Sequence, residues 1–173
     1  MAAHVDILGL IAERRIRRPL RPWRALDALF TRLAACAGAD EALRTEDRIW
    51  DAWMHHPNRA AEEVLDLATR DIAARRYDIA ETRLTRLLRH APDFAEAWHK
   101  RATLYYLLGR DEECLHDIRR TLEREPRHFG AMLHFAEILL GAGLPTDARF
   151  AFRAALSLHP HLPRARQALA DKG

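Results

Sequence analysis

Ten histidines in 173 residues are the first feature that could do chemistry. A neutral imidazole ligates metals and exchanges protons near pH 7, so the spacing of these residues is tested first. No His-Glu-x-x-His occurs. The close pairs, His55-His56 and His159-x-His161, stand at the ends of helical runs with no Cys or carboxylate set at matching spacing. They read as solvated helix-end residues, and the expectation is no metal ligand and no cofactor. The two cysteines, Cys36 and Cys114, are too few for a disulfide framework and lack a Cys-x-x-Cys neighbour. Cys114 shares its place in a repeating pattern with Ala80 and Ala148, which marks a small buried side chain and not a nucleophile. A Gly-rich phosphate loop, a Gly-x-Ser-x-Gly elbow and a dinucleotide fingerprint are all missing. No catalytic residue is expected.

With no candidate chemistry to position, the elements themselves carry the reading. The chain is 49% apolar and 31% charged, with seven Gly and eight Pro, and is dominated by residues that lose little on entering a helix. The predicted class is all-α. No uncharged run approaches the roughly 18 residues of a spanning helix. The net charge of +3 is unevenly laid out: residues 1–24 hold six Arg against Asp6 and Glu13. Arg outnumbers Lys 26 to 2, and Arg forks suit phosphate. Through the body, however, Arg alternates with Asp and Glu at i,i+4 spacing, as on a solvated helix face, so nucleic acid is disfavoured as a partner there.

Pro92, Pro126 and Pro160 stand 34 residues apart, and segments 61–94, 95–128 and 129–162 align without a gap. In a first helix, Val64, Trp98 and Met132 align, then Ala68, Ala102 and Ala136, and the face continues with Ile72, Tyr105 and Leu139. In a second helix, Ala80, Cys114 and Ala148 are followed by Leu84, Ile118 and Phe152, then Leu87, Thr121 and Ala155. Such spacing makes one helical face, and small residues recur where helices approach closely. Gly109 and Gly143 suit a left-handed turn between the two helices; Arg76 is taken to replace Gly in the first unit, which predicts a differently built turn. Asp93 with Glu96 reads as a capping box. Pro126, as a helix terminator, is expected to bury little.

The middle unit, 98-WHKRATLYYLLG-109 through Pro126, resembles the tetratricopeptide repeat (TPR). Arg101 departs from that pattern at a usual Leu, and Ala102 stands where Gly is common. The same stretch, with 125-EPRHFGAM-132, is similar to short proteobacterial TPR proteins of unassigned function, many of which begin with an export signal. The resemblance implies a right-handed α-solenoid that acts as a non-catalytic adaptor or assembly subunit for another protein.

The expected organisation is a basic arm over 1–23, a degenerate helical hairpin over 24–60, repeats over 61–94, 95–128 and 129–162, and a capping helix over 163–173. Trp50 and Trp53 are expected to wedge against the first repeat. In the cap, Arg164, Arg166 and Asp171 are expected to keep the outer face wet. Val5, Leu8, Ile11 and Ala12 suggest an apolar stripe, with a disordered leader as the alternative. Arg14, Arg15, Arg17, Arg18, Arg21 and Arg24 would then form an arm for an acidic partner surface. No apolar signal core precedes or follows those Arg, so the cytoplasm is expected, or the periplasm if the true start lies elsewhere.

First helices of stacked pairs line the concave side of a solenoid. On that reading the partner-binding groove is formed by Leu65 and Thr69 of the first unit, Glu96, His99, Thr103 and Tyr106 of the second, and Leu133, Glu137 and Leu140 of the third. This mixed lining fits a helix or extended segment with apolar anchors and some basic residues. Two alternatives stand beside it: nucleic-acid or anionic-membrane binding through the arm, and a small regulatory subunit of an enzyme complex.

Overall fold

The computed structural model describes residues 2–14, 19–20 and 24–170, which form ten helices and no strand. Three helix pairs make the array: α4 (Arg59–Ala73) with α5 (Tyr77–His90), α6 (Ala95–Leu107) with α7 (Asp111–Arg124), and α8 (Phe129–Gly141) with α9 (Pro145–Leu158). The short α10 (Pro163–Ala170) packs on α9. Close approach rests on the small residues, since Ala68, Ala102, Ala136, Ala80, Cys114 and Ala148 are all fully buried.

All three pairs turn in the same way, contrary to the expectation for the first. Gly109 and Gly143 have φ of 68° and 72°, and the residue with φ 57° in the first unit is Arg75, not Arg76. The hydrogen bonds repeat as well. Arg76, Arg110 and Leu144 donate their N–H to the carbonyls of Asp71, Tyr105 and Leu139 at 2.8, 2.9 and 2.9 Å. A left-handed side chain costs about 1–2 kcal/mol. In the first unit it is offset locally, because Arg76 and Arg83 both bind the buried carboxylate of Asp71 at 2.7 Å. Asp71, and not the half-buried Ile72, therefore occupies the face that Tyr105 and Leu139 fill in the other units.

Two other local expectations are corrected. The N-cap of α6 is Phe94 with no side-chain bond; Asp93 faces His56 Nε2 at 3.5 Å instead, and Glu96 is fully buried. Pro126 is buried, because the hairpin described below covers its loop, with Arg127 bound to Asp27 at 2.6 Å. The departure at Arg101 also has a cause. Its guanidinium bridges both oxygens of Asp117 at 2.6 and 2.9 Å and reaches Thr85 at 3.2 Å, between the rings of Trp98 and Tyr105. An ion pair stands where the repeat usually places a leucine.

The remaining helices do not extend the stack. Helix α1 (Ala2–Ala12) packs on α7 and α9 with Ile7 and Ile11 fully buried, Asp6 paired to Arg119 at 3.2 Å and Arg14 bound to Ser157 at 2.8 Å. This excludes a disordered leader over residues 2–14. It also redraws the stripe, because Val5 is exposed and Ile7 takes its place. Helices α2 (Arg24–Ala35) and α3 (Ala39–Met54) form a hairpin that folds back over the second and third units, touching α9 and α6.

Candidate functional site

The hairpin delivers Trp50 and Trp53, three residues apart on one face of α3, to the junction of α6 and α8 and not to the first repeat. Trp53 stacks on His128 with centroids 4.0 Å apart, and Trp50 stacks on His99 at 5.6 Å. Phe129 meets both indoles edgewise or tilted at 5.5 and 5.0 Å. Gly130 permits this approach, since a Cβ there would lie 2.6 Å from Cη2 of Trp50. The stack continues across the array: His99 lies on His134 at 5.3 Å, and His134 on Tyr106 at 5.3 Å. Four rings, Trp50, His99, His134 and Tyr106, form one column from the hairpin to the face of the first helices.

Three loop histidines hold the seam, and all three are buried, His56 and His159 where solvated residues were expected. His56, His128 and His159 each accept a backbone N–H at Nδ1, from Asn58, Ala131 and His161 at 3.1, 3.1 and 3.3 Å. With Nδ1 bare, the ring proton sits on Nε2 and is donated to a carboxylate. The acceptors are Asp93 at 3.5 Å, Glu96 at 2.8 Å and Glu46 at 3.0 Å. Glu46 belongs to α3 and also accepts from its own Trp50 Nε1 at 3.2 Å, so His159 ties the hairpin to the third unit. The hydrogen bond from His159 is the largest cause holding the Glu46 carboxyl below its usual pKa.

At the centre, Glu96, His99 and His128 place one donor atom each within 4.8 Å of one another. Burial pushes His99 down to about 3 and His134 down to about 4, so both rings are neutral at pH 7. Burial alone would raise the Glu96 carboxyl, but His99, then the hydrogen bond from His128 and last Lys100, its Nζ 3.2 Å away, hold it well below the carboxylate range. Chain spacing concealed this trio, because His128 lies 32 residues from Glu96. The signal that was available is Glu96-x-x-His99, which places two donors on one helical face.

The structure divides the nine expected groove residues. Glu96 and His99 lie beneath Trp50, and Leu65 is fully buried. Thr69 and Thr103 are half-buried and bond the carbonyls of Leu65 and His99. Tyr106, Leu133, Glu137 and Leu140 remain accessible to differing degrees, Leu140 being the most exposed at 45%.

Comparison with known proteins identifies the architecture. No family model matches the chain. A TPR repeat-containing protein of Rhizobium etli is 30% identical over 139 residues, spanning 80% of this chain and 68% of that one. The chain belongs to the tetratricopeptide repeat proteins. Two solved structures share its fold: a mutant of MamA, with a TM-score of 0.54 and 19% identity over 83% of this chain and 81% of that one, and MamA MSR-1, with 0.55 and 20% over 83% and 80%.

Within this tetratricopeptide repeat chain, two clefts stay open. One, of about 370 Å³, is bounded by Glu137, Leu140, Phe152, Arg164, Gln167 and Ala168. The exposed Arg164 of the cap reaches across it to Glu137 at 2.7 Å, while Arg166 is exposed as expected and Asp171 lies outside the described residues. The other, of about 430 Å³, lies between hairpin and array and includes Leu26, Trp53, Phe94 and Arg124. Of the expected basic arm, Arg14 is bonded into the fold and Arg24 opens α2; Arg15, Arg17, Arg18 and Arg21 lie outside the described residues. No helix among the described residues is long and apolar enough to cross a membrane.

Proposed function

We propose that this TPR protein is a non-catalytic adaptor or assembly subunit that holds a segment of another protein in the cleft between the third repeat and the capping helix. The observation that carries this reading is the exposed Leu140 beside the Glu137–Arg164 pair, in a cleft that the hairpin leaves open. Leu140 and Phe152 offer apolar contact to one anchoring side chain, and the ion pair at the rim offers a carboxylate and a guanidinium to a polar neighbour. The protein's own Trp50 stacks on His99 of the second unit, which takes that part of the expected groove out of the docking region. A cytoplasmic setting suits two reduced, buried thiols.

The test is quantitative co-purification from the native organism with the parent chain and with Tyr106→Ala combined with Leu140→Ala, at low and physiological salt. The double variant is expected to lose the partner at both salt concentrations while keeping its helical circular dichroism, because apolar anchoring is not screened. A parallel variant replaces Arg15, Arg17, Arg18 and Arg21 by Ser. Deletion of residues 1–22 is unsuitable, since it would remove the buried Ile7 and Ile11. Retention by the double variant with loss in the Arg-to-Ser variant would move the binding site to the arm.

A further inference from the structure

Glu96 and His99 share one face of α6, and His128 ends the α7–α8 loop above them. Their side chains are 0%, 5% and 0% exposed. His128 Nε2 occupies Glu96 Oε2, yet Glu96 Oε1 and both ring nitrogens of His99 have no hydrogen-bond partner, nor has Nδ1 of the adjacent His134. The nearest approaches to Oε1 are Lys100 Nζ at 3.2 Å and His99 Nδ1 at 3.5 Å. Buried polar atoms are seldom left unpaired, and several converging on one point mark a place built for a guest. A hydrogen-bond donor alone would satisfy Oε1 but not the lone pair of the neutral His99 ring; one cation answers both.

We propose that Glu96, His99 and His128 bind a divalent transition-metal ion, for which Zn(II) is the best match, at the junction of α6 and α8. Two imidazoles and one carboxylate form a known zinc donor set, with a fourth position left for water. Neither ring nitrogen of His99 is engaged by a hydrogen bond, so its lone pair is open to an ion. The ring orientations are already held, by Trp50 against His99 and Trp53 against His128. Coordination requires two local changes. The His128 ring proton moves from Nε2 to Nδ1, giving up the bond from Ala131 N–H, and the Lys100 ammonium turns away from Oε1 to solvent. Because the site lies beneath the hairpin, the ion would lock α3 onto the array and enter only when the hairpin lifts or as the chain folds.

The experiment uses the full chain without an affinity tag, stripped with chelator and either incubated with ZnCl₂ or refolded in its presence. Bound metal is measured after dialysis, and affinity by competition with a chromophoric chelator. Parent protein is expected to take up one equivalent, and its Co(II) form to show the visible bands of a low-coordinate N/O site. Two variants keep the packing and remove a ligand: His99→Phe leaves a ring in the aromatic column, and Glu96→Gln still accepts from His128. Each is expected to lose more than the roughly 10- to 100-fold that removing an outer-sphere partner costs. His90→Ala, exposed on α5, is expected to change nothing. Equal affinity in parent and both variants, or no uptake even on refolding with ZnCl₂, would overturn the site and leave water as the guest. If one variant failed to fold, the other and the Co(II) spectrum of the parent would still decide.

Discussion

Gly130→Ala tests the docking of the hairpin by the sign of its effect. Gly130 is the second residue of α8, where Ala is intrinsically favoured over Gly by about 0.5–1 kcal/mol. Its Cβ, however, would lie 2.6 Å from Cη2 of Trp50 and 3.3 Å from Cε1 and Nε2 of His99. The Trp50 ring end cannot swing aside freely, because His99, Trp53 and Phe129 surround it at centroid distances of 5.6, 5.0 and 5.5 Å. Overfilling a packed site costs about 1–3 kcal/mol. The central values leave a net loss of roughly 1 kcal/mol, which at about 2–4 °C per kcal/mol lowers Tm by roughly 2–4 °C. Gly141→Ala, at the far end of the same helix with nothing within 4 Å, is the control and is expected to be neutral or stabilising. The assay is thermal and urea unfolding followed by circular dichroism and Trp fluorescence. A Gly130→Ala protein as stable as its parent, beside a well-behaved control, would refute the placement of Trp50 against α8.

Ala102→Leu is expected to destabilise by about 1–3 kcal/mol, because Ala102 is fully buried where α6 meets its pair; an unchanged melt would show the helix contact is misplaced. Arg101→Leu restores the residue usual in the repeat, yet it strands the fully buried Asp117 and should cost about 3–5 kcal/mol, most of it recovered by adding Asp117→Ala. Asp71, whose carboxyl is lowered first by its hydrogen bond from Arg76, contributes stability above its unfolded value of 3.8 that is lost as pH falls through the lower folded value. Asp71→Asn should therefore lower the urea midpoint at pH 7, with the gap to the parent closing below pH 3.8. The Cys114 thiol, pushed up to about 12 by burial and then by Asp111 and Asp117, should resist thiol reagents in the folded chain at pH 8 and react only after denaturation. Rapid labelling of folded protein at Cys114 would contradict its burial.

The 34-residue spacing of Pro92, Pro126 and Pro160 and the alignment of Ala68, Ala102 and Ala136 were enough to establish the helix pairs and their stacking. Those features act through local physics: where a helix must stop, and where two must touch. Local physics was also where the reading slipped by one residue, at Asp71 for Ile72 and Arg75 for Arg76, because ion pairs with Arg76 and Arg83 let polar residues hold places that periodicity reserves for apolar side chains and glycine. What the sequence could not determine is the position of the hairpin. Trp50 and Trp53 have the spacing to cover any apolar neighbour, and only the folded chain, through Glu46 to His159, Asp27 to Arg127 and the gap at Gly130, selects the second and third repeats. That choice buries Glu96 and His99, converts two expected groove contacts into a closed cluster with His128, and leaves the cleft at Leu140 open. Pairings between residues 32 to 113 positions apart carry no periodicity, so tertiary structure alone decided which part of the inner face is closed and which cleft stays open.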